Sequence, residues 1–390
     1  IMDKLISFAL PLMVSSILQL LFNAVDIIVV GRFTGSQALA AVGSTTALIN
    51  MFVNLFIGVS LGANVLSARF YAAGKEREMS ETVHTAMTFA LISGIVMVFV
   101  GLFCTRGALE LMDTPADVID QAALYMKIYF CSMPFFMLYN YGAAVLRAVG
   151  DTKRPLLFLI ISGAINAVLN LFLVIAFSMG VAGVAIATVI SQVISCVLVL
   201  WCLFTTDSCY RLPISKVGIK GEYLLQIFQV GVPAGIQSVV INFSNVLLQS
   251  SVNSFGSIAM AGNTASQNIE GFIYNAMNAI YQTNLSFTSQ NYGAGEVDRC
   301  KKVFRLNMVF SLVFCGMLSA VFVLGRGFFL RLYTTDEAVL VFAAQRLLIV
   351  TTLELLTSTY EISAGALRGL GHSLLPAIIT CVGSCLLRLV

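Results

Sequence analysis

Apolar residues run through the chain in long stretches that are separated by short polar segments. A bilayer core about 30 Å thick is crossed by roughly 20 apolar residues in a helix, so each stretch predicts a transmembrane helix. Proline falls inside several stretches, as at Pro11, Pro134 and Pro233, where membrane helices tolerate it. The pattern predicts an all-α polytopic membrane protein. Its eleven predicted spans are approximately 5–30, 38–66, 82–104, 122–146, 155–177, 181–204, 223–250, 258–288, 306–324, 338–366 and 374 to the end.

Lysine and arginine concentrate in alternate loops between these spans. Short cytoplasmic loops are enriched in basic residues, so this side and the N-terminus are predicted to be cytoplasmic. The opposite loops hold fewer basic residues, with Arg32 and Arg106 among them. The basic residues on the predicted cytoplasmic side are Lys4, Arg69, Lys75, Arg77, Arg147, Lys153, Arg154, Arg211, Lys216, Lys220, Arg299, Lys301, Lys302, Arg305 and Arg368.

The two halves of the chain repeat each other at a nearly constant spacing. Pro11 corresponds to Pro233, 222 residues later. After the first span the spacing becomes 221, so that 146–150 corresponds to 367–371 and Pro155 to Pro376. Such parallel repetition is typical of transporters built from two related bundles.

The repeat predicts two six-helix bundles related by a pseudo-two-fold axis. Their bounds are 1–210 and 223–390, with a cytoplasmic connecting loop at 211–222. The second repeat would end beyond residue 390, so we expect the eleventh span to be incomplete and the twelfth to be missing.

Composition supports a membrane protein and disfavours several other classes. The chain is 58% hydrophobic and 11% charged, against roughly 25% charged residues in soluble domains. The formal charge of +3 is spread over short loops, so nucleic acid is not an expected partner. The nine cysteines lack the spacing of a zinc or redox site and are expected to be reduced.

Several segments carry a family resemblance, and each occurs at a characteristic place in the chain. They are Ala9-Leu10-Pro11, Val25-Asp26, Gly74-Lys75-Glu76, Gly293-Ala294-Gly295-Glu296, the loop GAAVLRAVGDT at 142–152 and the loop GALRGLGH at 365–372. Together they resemble the multidrug and toxic compound extrusion (MATE) family along the whole chain. The features are more similar to its DinF-type bacterial branch than to its NorM-type branch.

The resemblance implies twelve helices in two lobes with a V-shaped central cavity that opens alternately to either side. It also implies export of amphipathic, often cationic compounds, driven by inward flow of protons or sodium ions. We expect a monomer in a bacterial cytoplasmic membrane. No cofactor is expected apart from the transported ion.

Asp26 is the first candidate for the coupling chemistry, with Asn23 one turn before it near the end of the first span. An ionisable group in the hydrocarbon layer costs at least a few kcal/mol, which makes it a functional candidate. A shielded carboxylate there can exchange protons in the working range. The resemblance implies that the matching aspartate is a proton or sodium site. Alternatively, Asp26 is an interface residue that reaches extracellular water or pairs with Arg32.

Asn166 and Asn170 lie four residues apart in the fifth span and share a helix face. Both are predicted to turn toward Asp26. In many relatives the second position is an aspartate, so Asn170 keeps an oxygen ligand suitable for Na⁺ but removes one titratable group. The sequence leaves open whether Na⁺ or H⁺ drives transport. The alternative is that the two amides only form hydrogen bonds between helices.

The C-terminal half contains a polar face in a predicted helix. Glu270, Tyr274, Asn278 and Tyr281 recur at helical spacing. This face is predicted to line the cavity and to contact substrate.

Two further glutamates, Glu354 and Glu361, are seven residues apart and share a face, with Tyr360 beside the second. Carboxylates flanked by aromatic rings suit an organic cation, through charge attraction and the ring quadrupole. The alternative is that one or more of the three glutamates is a salt-bridge partner, for example of Arg388 in the eleventh span.

Other residues are predicted to have packing roles. The 28 Phe and 15 Met can supply adaptable walls for a promiscuous pocket, although most must face lipid or other helices. The spacing of Gly58 and Gly62 permits close helix approach.

Two other functional classes agree less well with the sequence. A membrane-embedded enzyme is disfavoured because His84 and His372 lie near loops and no catalytic constellation accompanies them. A flippase for a lipid-linked saccharide can share the architecture. It would need a basic cavity for the pyrophosphate, whereas the intramembrane charges are mainly acidic.

Overall fold

A computed structural model describes residues 1–34, 36–112, 114–213, 218–332 and 336–386. Within these ranges the chain is all-α, as predicted, and has no strand. Lys216 and Arg388 lie outside the described residues. The helices are α1 (Met2–Phe33), α2 (Ser36–Ala72), α3 (Glu76–Leu111), α4 (Ile119–Cys131), α5 (Met133–Ala148), α6 (Lys153–Leu171), α7 (Gly180–Thr205), α8 (Gly221–Asn253), α9 (Ser257–Gly293), α10 (Val297–Leu324), α11 (Arg326–Arg331), α12 (Glu337–Gly369) and α13 (Leu374–Thr380). Two π-helical segments, Phe172–Ala176 and Cys381–Leu386, follow α6 and α13.

Eight helices of the described part are long and apolar enough to cross a membrane. The count becomes nine if α4 and α5, bent by 47° at their junction, form one span. Pro134 is the second residue of α5 at this bend, where its ring and missing N–H interrupt the helical hydrogen bonds. The span predicted at 258–288 corresponds to α9, which is long enough but is not among the eight.

The chain forms two compact units. One comprises residues 17–235, and the other comprises residues 1–16 together with 236–390. Both boundaries fall inside helices, in α1 and in α8, which are the two helices that begin the sequence repeat.

Glycines bring α2 close to the first half of α8 within the unit 17–235. A Cβ on Gly58 would overlap the backbone of Gly235, and one on Gly62 would overlap the carbonyl of Ile227. Gly231 of α8 lies equally close to Val59. Gly58 and Gly62 are therefore packing positions, as the sequence predicts, because small residues let membrane helices approach closely.

In the other unit, buried amides join α9 to its neighbours. The Asn284 side chain donates to the carbonyl of Ile362 on α12 at 2.7 Å. Asn307 of α10 donates to Asn284 Oδ1 at 3.4 Å. Such bonds between helices satisfy polar groups that lipid cannot solvate.

Candidate functional site

The approach of α1 to α6 begins at Gly163. A Cβ built on Gly163 would overlap the ring of Phe22, so only glycine leaves room for this ring. Asp26 follows Phe22 by four residues, and Asn166 and Asn170 follow Gly163 by three and seven. These spacings place the three polar side chains on the faces that the glycine contact brings together.

The structure brings Asp26, Asn166 and Asn170 together. The Asn170 amide donates hydrogen bonds to Asp26 Oδ1 and, at 3.2 Å, to Asn166 Oδ1. Asn170 is fully buried and its Oδ1 has no hydrogen-bond partner among the described residues. Asp26 is half-buried, and no described basic side chain, Arg32 included, forms a salt bridge with it.

A π-helical turn lies directly beyond this cluster. The α-helical part of α6 ends at Leu171, and the π-helical segment Phe172–Ala176 continues it. Such wide turns occur rarely and are frequent at functional sites. Asn170 therefore stands at the last regular turn before a change in helical pitch.

The cluster opens into a cavity of about 260 Å³ inside the unit 17–235. Asn23, which is exposed, is on its wall together with Asp26 and Asn166, so the structure places three of the four predicted coupling residues at one cavity. Sequence reasoning missed most of the remaining wall. Its other polar members are Gln19, Asn50, Tyr129, Tyr139, Asn140, Ser162, Thr188, Ser191, Gln192 and Ser195.

In the C-terminal half, Glu270 has a basic partner. Arg346 of α12 forms an ion pair with Glu270 Oε1, and the Ser266 hydroxyl donates to the same oxygen at 2.7 Å. Glu270 is thus a salt-bridge partner, which was the alternative to substrate contact, but its partner is Arg346 and not the suggested Arg388. Arg346 was overlooked although it lies inside the predicted span 338–366, where any charge is a candidate.

The other members of the predicted polar face of α9 differ in exposure. Tyr274 is exposed, Asn278 is half-buried and Tyr281 is buried. Gln282 donates to Asn278 Oδ1 at 3.2 Å. On α12, Glu354 is half-buried, and its Oε2 has no hydrogen-bond partner among the described residues.

Arg368 is not a loop residue, which corrects the sequence-based assignment. Its side chain is buried and donates to Tyr281 Oη at 2.6 Å and to Gln237 Oε1. The reason is that α12 continues to Gly369, so Arg368 lies in its last turn and faces α9. The half-buried Glu361 lies seven residues earlier on the same helix.

Tyr360 belongs to the same buried network. Its hydroxyl oxygen accepts from Gln237 Nε2 at 3.4 Å and from Thr380 Oγ1 at 3.2 Å.

Among the described residues no group of three or more His, Cys, Asp or Glu side chains could hold a metal ion.

The chain matches a known protein family in both of its halves. The sequence profile of the MatE family matches residues 11–172 and again residues 233–390. The chain belongs to the MATE family. The two MatE matches begin at Pro11 and Pro233, the same pair of prolines that begins the sequence repeat.

Individual MATE relatives cover most of the chain. It is 30% identical over 382 residues to "Probable multidrug resistance protein YoeA" of Bacillus subtilis, covering 96% of this chain and 82% of the relative. It is 22% identical over 374 residues to "Multidrug export protein MepA" of Staphylococcus aureus, covering 95% and 82%. The protein is thus a multi-pass membrane transporter of the multidrug efflux family and not an enzyme.

Solved structures agree on the fold. A multidrug resistance MATE family transporter in an outward-facing conformation matches with a TM-score of 0.94 at 20% identity, covering 100% of this chain and 87% of that one. A transporter from Pyrococcus furiosus matches with a TM-score of 0.91 at 20% identity, covering 97% and 85%. The all-α MATE fold is therefore confirmed.

Proposed function

We propose that this MATE protein is a secondary active antiporter that exports amphipathic organic cations in exchange for inward Na⁺ or H⁺ by alternating access. The observation that carries the proposal is Asp26, a carboxylate inside the span of α1 whose hydrogen-bond partner among the described residues is the Asn170 amide. An unpaired carboxylate in a membrane span is costly, and an exchangeable cation compensates for that cost.

The cluster can hold either coupling ion. A proton can reside on the Asp26 carboxylate itself. Na⁺ can be held by oxygens of Asp26, Asn166 and Asn170, and the unpartnered Asn170 Oδ1 supports this arrangement. Either cation competes with the Asn170 amide for Asp26, so that occupancy of the site alters the hydrogen bond joining α1 to α6.

The C-terminal half supplies the groups proposed to contact the drug. Glu354 has a carboxylate oxygen with no hydrogen-bond partner among the described residues, and Glu361 and Tyr360 lie two turns further along α12. Tyr274 offers an exposed ring on α9 for a cation–π contact, while Asn278 and Tyr281 continue its helix face. Glu270 is proposed to act on this surface through its pair with Arg346.

We further propose that the protein works as a monomer in the bacterial cytoplasmic membrane with its N-terminus in the cytoplasm. The basic loops support this orientation because positive residues favour the cytoplasmic side.

Transport of ethidium into liposomes containing the purified protein tests the proposal. A Na⁺ gradient at constant pH and a pH gradient at constant Na⁺ are imposed in separate experiments. Acceleration by one gradient supports antiport and identifies the ion. Equal rates with and without both gradients, together with movement of a labelled lipid between leaflets, would instead establish a flippase.

A further inference from the structure

Hydroxyl groups form a row on α7 along the wall of the cavity. Thr188 donates to the carbonyl of Val184 at 3.0 Å, and Ser191 donates to that of Thr188 at 2.8 Å. Ser195 donates to the carbonyl of Ser191 at 2.8 Å. A hydroxyl has one donor and two acceptor lone pairs, so each of these groups has used its donor within its own helix.

Three other residues that line the cavity, on α5 and α6, also donate to backbone carbonyls. Ser162 Oγ donates to the carbonyl of Leu159 at 3.2 Å, and Tyr139 Oη donates to that of Pro155 at 3.1 Å. The Asn140 side chain donates to the carbonyl of Phe136 in its own helix at 2.8 Å, and its Oδ1 is an acceptor. The hydroxyl oxygens therefore act as acceptors toward the cavity, which suits a cation with its water and disfavours an anion.

The cavity is large enough for a second cation position and extends along α7. Its 260 Å³ has room for roughly eight water molecules at about 30 Å³ each. From Thr188 to Ser195 the wall extends about 10 Å along α7, at about 1.5 Å per residue. This direction leads away from the start of α7 and toward Thr205, the end that the proposed orientation assigns to the cytoplasm.

Burial separates these oxygens from lipid and from bulk solvent. The exposed fractions are 7% for Ser191, 5% for Ser195 and 4% for Ser162. Buried polar atoms that face a cavity need partners, and water or a hydrated cation supplies them.

We infer that the cavity holds a second, weaker position for the driving monovalent cation, lined by Ser191 and Ser195, between Asp26 and the cytoplasmic end of the unit 17–235. The inference rests on the proposed antiport. Neutral oxygens hold a cation less tightly than a carboxylate does, and a position used in transit must be weak enough to release its ion. Ser191 and Ser195 are thus positioning residues for ion release.

The double variant Ser191→Ala/Ser195→Ala tests the inference, because it removes two acceptor oxygens and adds almost no volume. We expect the maximal rate of ion-driven ethidium exchange in liposomes to fall on the order of tenfold. The tighter equilibrium binding of the driving cation at Asp26, measured on the detergent-purified protein, should stay unchanged, because Asp26 and its amide partner are intact. The double threonine variant, which keeps both hydroxyls, should retain the rate.

Thr205→Val is the matched control. Thr205 donates to the carbonyl of Trp201 at 2.7 Å in the same way, but it is exposed and lies outside the cavity. An unchanged rate in the double alanine variant would overturn the inference, and so would a parallel loss of cation binding. Failure of the antiport itself would be recognised separately, because the parent protein would then move ethidium at equal rates with and without an ion gradient.

Discussion

The ring of Phe22 on α1 lies where a Cβ on Gly163 of α6 would stand. One turn beyond Phe22 on α1 and two turns beyond Gly163 on α6, the Asn170 amide donates to Asp26. A single missing methyl group therefore sets the helix separation at which the amide and the carboxylate meet. The geometry of the cluster of Asp26, Asn166 and Asn170 depends on a packing position that has no polar side chain of its own.

Gly163→Ala tests this dependence. Overpacking of a close contact costs about 1–3 kcal/mol, and moving α1 away from α6 would lengthen the bond between Asn170 and Asp26. We expect a lower thermal unfolding midpoint in detergent together with loss of gradient-driven exchange. Gly43→Ala on α2 is the control, because a Cβ at Gly43 has no neighbour within 4 Å. Full exchange activity in Gly163→Ala would show that the contact does not position the cluster.

Asp26→Asn is expected to abolish efflux while leaving folding and expression intact. The amide is nearly isosteric, but it can neither bind a proton in the working range nor neutralise Na⁺. Drug resistance of cells that express the variant, measured beside protein abundance in the membrane, checks the expectation. Asp3→Asn, which changes an exposed carboxylate on the same helix, should leave resistance unchanged. Unimpaired resistance in Asp26→Asn would argue strongly against the assignment.

Asn170→Asp is expected to strengthen cation binding, because it places a second carboxylate beside Asp26. Without a cation the two like charges should destabilise the protein. Added NaCl should therefore raise the unfolding midpoint more in the variant than in the parent, with choline chloride as the ionic-strength control. Identical responses to Na⁺ in both proteins would exclude Na⁺ from this cluster.

The pair of Glu270 and Arg346 is expected to be interdependent. Arg346→Met should cost about 3 kcal/mol of stability, because it leaves a largely buried carboxylate without its partner. The double variant Glu270→Gln/Arg346→Met should recover most of this loss, as a double-mutant cycle of unfolding midpoints can show. A stable Glu270→Gln variant that no longer exports ethidium would instead place Glu270 in contact with the drug.

Much of the architecture could be predicted from the sequence because membrane-spanning helices consist of long runs of apolar residues. The two prolines that begin the repeat, Pro11 and Pro233, also begin the two MatE matches. The break between α4 and α5 was less visible, since the apolar pattern continues across it and only Pro134 marks the bend. The π-helical turn after α6 has no signal in the hydrophobic pattern.

The candidate site could likewise be predicted only in part. Asp26, Asn166 and Asn170 were predicted to meet because charged and amide groups stand out in apolar spans, and the structure places them in contact. Their roles stay predictions. Ser191 and Ser195 were overlooked because serine is common in membrane helices and its significance depends on which side of the helix faces a cavity. The assignment of Arg368 to a loop was wrong because α12 extends beyond the apolar stretch 338–366.

Asn170 also determines how much charge the cluster can balance. With an amide at this position and one acid at Asp26, the cluster carries at most one negative charge. Each elementary charge moved through the membrane is worth about 2.3 kcal/mol per 100 mV. Under the proposed exchange, one inorganic cation entering for one singly charged drug leaving moves no net charge. The resting voltage of the cell then contributes nothing to export, and the concentration difference of the ion alone sets how far the drug can be depleted.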